Sequence, residues 1–131
     1  MKVLVDSDFL VGLFRDEDTH HQNSLNLLEK EIRAGSSLFV SNLVLFETAT
    51  VLAHRVNMDA VRLFYEKLPK LKLKRIGIDE KMENKSWEIF LKQTKKGCSF
   101  VDCANLAAVE IYRFEGILSF DQFYPKNLKR G

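Results

Sequence analysis

The chain has 131 residues, of which 46% are hydrophobic and 29% are charged, and it carries a net charge of only +2. This composition predicts a folded single domain over residues 1–131 and argues against disorder, while the low net charge is not by itself a sign of nucleic-acid binding. No apolar run approaches the roughly 20 residues of a membrane span, and no signal peptide is evident, so the predicted location is the cytoplasm.

The first half of the chain predicts strands alternating with helices. Apolar residues at helical spacing and Val-rich runs define these elements. In order, they are a strand over 2–6, a helix capped by Ser7, a helix carrying Leu25, Leu28 and Ile32 that stops at Ala34-Gly35, a strand over 38–40 and a helix over 43–56 capped by Ser41 or Asn42.

The second half continues the alternation. Its predicted elements are a helix over 60–68 capped by Asp59, a strand over 71–78, a helix over 79–96 ended by Gly97, a helix from the cap Ser99 to about 113, and a strand over 116–119. Strands separated by helices predict a three-layer α/β/α fold around a central parallel sheet of four or five short strands. Ligands of such sheets bind beyond the carboxyl ends of the strands.

Four acidic residues stand out because their sequence neighbours are apolar. Asp6 ends the first strand, while each of the other three is the only charge in its segment: Glu47 in 42–53, Asp102 in 99–109 and Asp121 in 116–125. A buried carboxylate is costly unless it is hydrogen-bonded, paired with a cation or bound to a metal. These residues are therefore candidates for a site.

Each acid also has a structural interpretation. Asp102 follows Ser99 at the spacing of a capping box, and Asp121 could be a turn residue after a strand. Asp6 could accept hydrogen bonds from the backbone amides that open the next helix. Glu47 lies in a helix that is predicted to be buried, where it could face a loop or cap a neighbouring backbone; no cation lies three or four residues from it.

The four acids together predict a metal site. Two follow strands and two begin or line helices at the same edge of the sheet. Four carboxylates drawn together would repel one another and have raised pKa values unless a divalent cation compensates them. Oxygen ligands without a His or Cys cluster suit Mg²⁺ or Mn²⁺. Cys98 and Cys103 match no zinc spacing and are predicted to be reduced packing residues.

The ordered set of segments VLVDSDFLVGLF, FVSNLVLFETATVL, SFVDCANLAAV and ILSFDQFY resembles the PIN domain, the nuclease fold of the VapC toxins of VapBC toxin–antitoxin systems. The resemblance implies a Mg²⁺-dependent endoribonuclease, with Mn²⁺ able to substitute, in which Asp6, Glu47, Asp102 and Asp121 are the catalytic and metal-binding residues. It also implies supporting hydroxyls at Ser7 and Ser119. Asp8 stands where the family often has Ser, Thr or Asn, so its role as a ligand or a helix-start residue is left open. The implied partners are RNA, a cognate VapB-type antitoxin and a second copy of the chain in a homodimer.

Two other functions compete with this one. The sequence Asp6-Ser7-Asp8 after an apolar strand also resembles the opening of HAD-type phosphohydrolases, where the first Asp is a nucleophile. A PIN-like module could also bind RNA or protein without cleaving.

The basic residues and the histidines are less specific signals of function than the four acids. The run from Lys67 to Arg75 is compatible with phosphate contacts or with an edge strand protected by lysines, and Lys92, Lys95 and Lys96 are further candidate phosphate contacts. His20 and His21 are predicted to be surface residues of a polar turn.

Overall fold

Four parallel strands form the centre of the protein, which is described here from a computed structural model covering residues 1–94 and 96–130. The elements are β1 (Lys2–Val5), α1 (Ser7–Phe14), α2 (His21–Arg33), β2 (Ser37–Ser41), α3 (Asn42–Arg55), α4 (Met58–Lys67), a 3₁₀ turn (Leu68–Leu71), β3 (Lys74–Ile76), α5 (Glu80–Leu91), α6 (Phe100–Tyr112) and β4 (Gly116–Leu118). The strand order is β3-β2-β1-β4, so β1 and β2 are central and β3 is an edge. The predicted three-layer α/β/α fold is confirmed, with four strands.

Helices cover both faces of the sheet because the central strand β1 is apolar on both sides. Val3 and Val5 pack into a core with α1, α3 and α4, whereas Leu4 packs into a second core with Met82 of α5 and Ala107 of α6. Successive side chains of a strand point to opposite faces, which explains this division. The carboxyl ends of all four strands consequently meet at one edge of the molecule.

Two predicted helix caps lie elsewhere. Asp6, not Ser7, caps α1: its backbone is extended and its carboxylate accepts the Ser7 N–H at 2.8 Å. Asn57, not Asp59, caps α4 and accepts the Ala60 N–H at 2.9 Å. Where two cap-forming residues lie close together in the sequence, the backbone entering the helix decides between them.

The predicted strand over 71–78 is shorter in the structure, as is the predicted helix over 79–96. The 3₁₀ turn and the left-handed backbone of Lys72 (φ 54°) occupy the start of the first segment, leaving only β3. Helix α5 stops at Leu91, and Gly97 lies in the loop beyond it. β3 is an edge strand as predicted, but of the run from Lys67 to Arg75 it contains only Lys74 and Arg75.

Helix α3 is not buried on all sides, contrary to prediction. Phe46 is 64% exposed, whereas Val44, Leu45 and Leu52 are buried. The helix packs on α1, α4 and β2, which leaves one face in solvent.

The C-terminal tail is fixed by a buried ion pair. Glu31 of α2 has no solvent exposure and accepts two hydrogen bonds from the Arg130 guanidinium, at 3.0 and 3.1 Å, and one from Ser36 Oγ at 2.7 Å. An isolated parallel bridge between Ile117 and Lys129 extends the sheet edge beside β4. The tail thus adds a single bridge rather than a full strand.

No helix within residues 1–94 and 96–130 is both long and apolar enough to cross a membrane. Cys98 and Cys103 are free thiols with sulfur atoms 3.5 Å apart. The predicted phosphate contact at Lys95 lies outside the described residues.

Candidate active site

The site begins where β1 and β4 end side by side. Asp6 follows β1 and Ser119 follows β4, and the Ser119 hydroxyl donates to Asp6 Oδ2 at 2.8 Å. The Asp6 N–H also bonds to the Leu118 carbonyl at 3.0 Å. Neighbouring parallel strands therefore hold these two side chains at the edge where ligands of such sheets bind.

Asp6 is buried without a cation beside it. Its side chain accepts hydrogen bonds from Asn105 Nδ2 at 3.1 Å and from the Ser7 N–H, yet within residues 1–94 and 96–130 no Lys, Arg or His lies within ion-pair distance. Burial, followed by the negative charge of Asp8, raises the pKa of Asp6 from 3.8 to about 7. Hydrogen bonds alone do not compensate this carboxylate.

Asp8 belongs to the same cluster. Its Oδ2 accepts the Phe120 N–H at 2.9 Å and lies 3.3 Å from the Ser119 hydroxyl. That hydroxyl has one proton, and Asp6 is the nearer acceptor. Asp8 Oδ1 is buried with no hydrogen-bond partner, and burial together with the charge of Asp121 raises the pKa of Asp8. Asp8 therefore lies next to the candidate acids Asp6 and Asp121.

Asp102 forms the predicted capping box at the start of α6. Its carboxylate accepts the Ser99 N–H at 3.1 Å, and the Ser99 hydroxyl accepts the Asp102 N–H at 3.1 Å. The Tyr124 hydroxyl donates to Asp102 Oδ1 at 3.3 Å. Burial and the charge of Asp121 nevertheless raise the pKa of Asp102. The capping role is real, and the residue also shares the electrostatics of the cluster.

Asn105 and Tyr124 connect these acids, and neither was predicted. Asn105 lies one helical turn after Asp102, and its amide nitrogen donates both to Asp6 and, at 3.0 Å, to the Tyr124 hydroxyl. Burial and the charge of Asp6 raise the pKa of Tyr124, so the phenol stays protonated and donates to Asp102. A polar residue at this spacing in an otherwise apolar helix was the available signal for Asn105.

Glu47 and Asp121 are half-buried at the margin of the cluster. The Ser7 hydroxyl donates to Glu47 Oε2 at 2.5 Å, which joins α3 to the start of α1. Asp121 accepts the Phe123 N–H at 2.9 Å in a turn, as the structural interpretation predicted. Its charge acts on both Asp8 and Asp102. Asp102 and Asp121 line one shallow cleft, whereas Ser7, Asp8 and Glu47 line a larger one.

The donor set fits a hard divalent cation in its chemistry. It consists of carboxylate and hydroxyl oxygens, with one buried carboxylate oxygen unpartnered and the pKa values of three aspartates raised by burial and mutual repulsion. In the described part of the chain, no three His, Cys, Asp or Glu side chains stand close enough together to form a ready metal cage. Asp102 is hydrogen-bonded by Ser99 and Tyr124, Asp8 by Phe120 and Asp121 by Phe123, so each carboxylate has donors of its own.

Parallel strands with a buried acid network at their carboxyl ends define the class of protein. A family model described as the PIN domain matches residues 3–126, and the chain belongs to the PIN domain family.

Relatives of known structure and sequence agree with this assignment. A VapC ribonuclease of Archaeoglobus fulgidus is 26% identical over 123 residues, covering 92% of this chain and 78% of the relative. The crystal structure of VapC20 from Mycobacterium tuberculosis, a toxin that cleaves the sarcin–ricin loop, superposes with a TM-score of 0.78 at 22% identity and covers 92% of this chain and 91% of that one. A chain from the Rickettsia felis VapBC2 complex bound to a promoter DNA fragment has a TM-score of 0.68 at 14% identity, with coverage of 99% and 95%.

The family match leaves the HAD-type phosphohydrolase hypothesis without support. That hypothesis gave no role to Glu47 or Asp102, whereas the structure brings Glu47 to Ser7 and Asp102 into the network around Asp6.

Proposed function

We propose that this protein is a metal-dependent endoribonuclease that hydrolyses RNA phosphodiester bonds at the carboxyl edge of its sheet. The observation that carries the proposal is the buried, cation-free Asp6 beside Asp8 in a chain of the PIN family. A buried carboxylate without a cationic partner is costly, and its presence favours the interpretation that it forms part of a site for a divalent cation. The similarity to a VapC ribonuclease supports RNA as the substrate.

The residues have distinct roles in this proposal. Asp6, Asp102 and Asp121 would hold Mg²⁺ or Mn²⁺, with Glu47 as a further ligand or as the group that orients the attacking water. The bound ion supplies charge neutralisation of the phosphate and a more acidic water. Asp8 adds negative charge and an unpartnered oxygen to the same cluster, and we include it as a fifth acid of the site.

The surrounding polar groups hold these acids in place. Ser119 donates to Asp6, Ser7 donates to Glu47, and Tyr124 donates to Asp102. Carboxylates that are orientated by fixed donors lose less freedom when they bind a cation or a water. We therefore assign Ser7, Ser119, Asn105 and Tyr124 to positioning.

The direct test is cleavage of RNA by the purified chain. We expect cleavage with Mg²⁺ or Mn²⁺, none in EDTA, and products with a 5′-phosphate and a 3′-hydroxyl. Asp102→Asn should lack activity while folding normally, since Asn at this position can still accept from the Ser99 N–H. Arg62→Gln, in an exposed ion pair with Asp59, is the matched surface control.

A crystal soaked in Mn²⁺ gives an independent measurement. Anomalous density beside Asp6 and its neighbouring acids is the expected result. If wild type cuts no RNA in Mn²⁺, and Asp102→Asn binds RNA as wild type does, the protein is a non-cleaving RNA-binding module and the nuclease proposal is wrong.

The partners follow from the same proposal. The VapBC2 neighbour supports a cognate antitoxin of the VapB type, which would make this chain the toxin of a type II pair acting in the cytoplasm. Large apolar side chains exposed on the packed helices α3 and α4 and on the turn between them offer surfaces for an antitoxin or for a homodimer: Phe46, Val56, Met58, Leu63 and Tyr65. Sedimentation of the chain alone and after co-expression with its antitoxin would test both assemblies.

A further inference from the structure

A cleft of about 670 Å³ opens beside the acid cluster, between α1, α3 and the turn that joins α1 to α2. The site residues Ser7, Asp8 and Glu47 form one part of its lining. The rest includes side chains to which the metal site gives no role, above all Arg15, His20, Arg55 and Phe120. A volume of this size accommodates a ligand as large as a nucleotide.

His20 ends a stack of three rings that rises from the core. Phe9 is buried and stacks on Phe120 with centroids 6.5 Å apart, and Phe120 stacks on His20 at 4.1 Å with the rings 7° from parallel. The His20 ring caps no backbone N–H of α2, although this residue is the N-cap. A half-exposed ring fixed in this way is a platform on which a further flat group can stack.

The platform is attached directly to the acid cluster. Phe120 lies between Ser119 and Asp121, and its N–H donates to Asp8 at 2.9 Å. The turn carrying His20 is fixed by the Asp18 carboxylate, which accepts the His20 N–H at 2.8 Å. A base stacked on His20 would therefore have a defined position relative to the reacting phosphate.

Two arginines of the same cleft are available for phosphate. Arg15 is the C-cap residue of α1 and Arg55 is the last residue of α3. Within residues 1–94 and 96–130 neither guanidinium has a carboxylate within 4.0 Å. Glu17 and Asp18 also line the cleft and would repel phosphate from their side. The charges therefore favour a single phosphate beside the arginines.

We propose that this cleft is a subsite for one nucleotide of single-stranded RNA next to the scissile phosphate. The base stacks on His20, and Arg15 and Arg55 hold the adjoining phosphate. Stacking is tolerant of base identity, so this subsite selects unpaired nucleotides rather than a particular sequence. The inference rests on the proposed ribonuclease function and specifies how that site takes its substrate.

The test is binding of a short single-stranded RNA that contains 2-aminopurine, measured by fluorescence in EDTA so that no cleavage occurs. Wild type should quench the fluorophore. His20→Ala should remove the quenching and weaken binding by about tenfold, as expected for the loss of one stacked base. His20→Phe, which keeps a flat ring, should stay close to wild type. Arg55→Gln should weaken binding and reduce its dependence on log salt concentration by about one unit.

The control is His54→Ala, an exposed histidine near the end of α3 that is not among the residues lining the cleft, and it should bind as wild type does. Unaltered binding and quenching in a folded His20→Ala protein would overturn the inference, as would failure of the wild type to bind the oligonucleotide. Failure of the nuclease proposal gives a different result, namely absence of metal-dependent cleavage, and leaves the EDTA measurement intact.

Discussion

Asp6 and Glu31 are both buried carboxylates, only 3% and 0% exposed, but their surroundings are opposite. Glu31 receives two hydrogen bonds from the Arg130 guanidinium. Burial acts to raise its pKa, but the hydrogen bonds from Arg130 and Ser36 outweigh this and hold the pKa below its usual value. Asp6 receives only uncharged donors and has Asp8 beside it, so its pKa is raised. The fold itself supplies the cation that compensates Glu31, whereas Asp6 has no cationic partner among residues 1–94 and 96–130, and this contrast is what supports the proposed metal site.

The largest expected effect is on RNA cleavage, which should depend on Asp6 and not on Glu31. If Asp6 is a metal ligand as we propose, Asp6→Asn should reduce RNA cleavage by roughly 10²–10³-fold or more, because its loss removes several kcal/mol of charge stabilisation. Glu31→Gln should leave the cleavage rate per folded molecule unchanged. The measurement is single-turnover cleavage in Mg²⁺ with the folded fraction determined by circular dichroism. Equal losses in both variants would mean that the acids do not differ in function.

In the free energy of unfolding, by contrast, we expect the large effect at the ion pair of Glu31. Arg130→Met leaves Glu31 buried without its cation and should lower the free energy of unfolding by about 3–5 kcal/mol, measured by urea denaturation at pH 7. The double variant Glu31→Met with Arg130→Met should lose less, because no charge remains unpaired. If the single and double variants lose the same amount, packing of the tail rather than the ion pair stabilises this region.

The two pKa shifts predict opposite pH dependence in EDTA. Between pH 3.8 and about 7 the folded protein keeps a proton on Asp6 that the unfolded chain has lost, so stability falls as the pH rises through this range, by up to roughly 4 kcal/mol. Asp6→Asn should flatten that decline. Glu31, whose pKa is lowered, contributes stability above its ordinary pKa and loses it as the pH falls further. Parallel urea curves from about pH 2 to pH 8 cover both ranges, and an unchanged slope between about pH 4 and pH 7 in Asp6→Asn would contradict the assignment.

The smallest effect concerns the groups that orientate the acids. Tyr124→Phe keeps the ring but removes the hydroxyl that bridges Asn105 and Asp102. We expect an activity loss of about tenfold and a stability change of about 1 kcal/mol. Tyr65→Phe, at an exposed tyrosine, is the control. Loss of stability without loss of activity would assign Tyr124 to packing alone.

Local sequence patterns predicted most of the fold and some of the candidate site residues. The alternation of strands and helices predicted the three layers, because apolar periodicity depends only on neighbours along the chain. The acids Asp6, Glu47, Asp102 and Asp121 could be picked out for the same reason, because they lie in apolar segments. The caps of α1 and α4 and the short β3 were predicted imprecisely, since each depends on the backbone direction that the rest of the fold imposes.

Only the tertiary structure decided which side chains meet. Asn105 and Tyr124 join Asp6 to Asp102, and His20 reaches Phe120 across about 100 positions of sequence, although the polar turn around His20 predicted a simple surface residue. Glu31 lies in a charged helical segment and gave no sign of burial until the tail brought Arg130 to it. The sequence by itself determined the layers and the candidate acids, because hydrophobic pattern and residue type are local properties. The compensation of each buried charge depends on partners distant in sequence, so the fold alone determined which acid has its own cation and which does not.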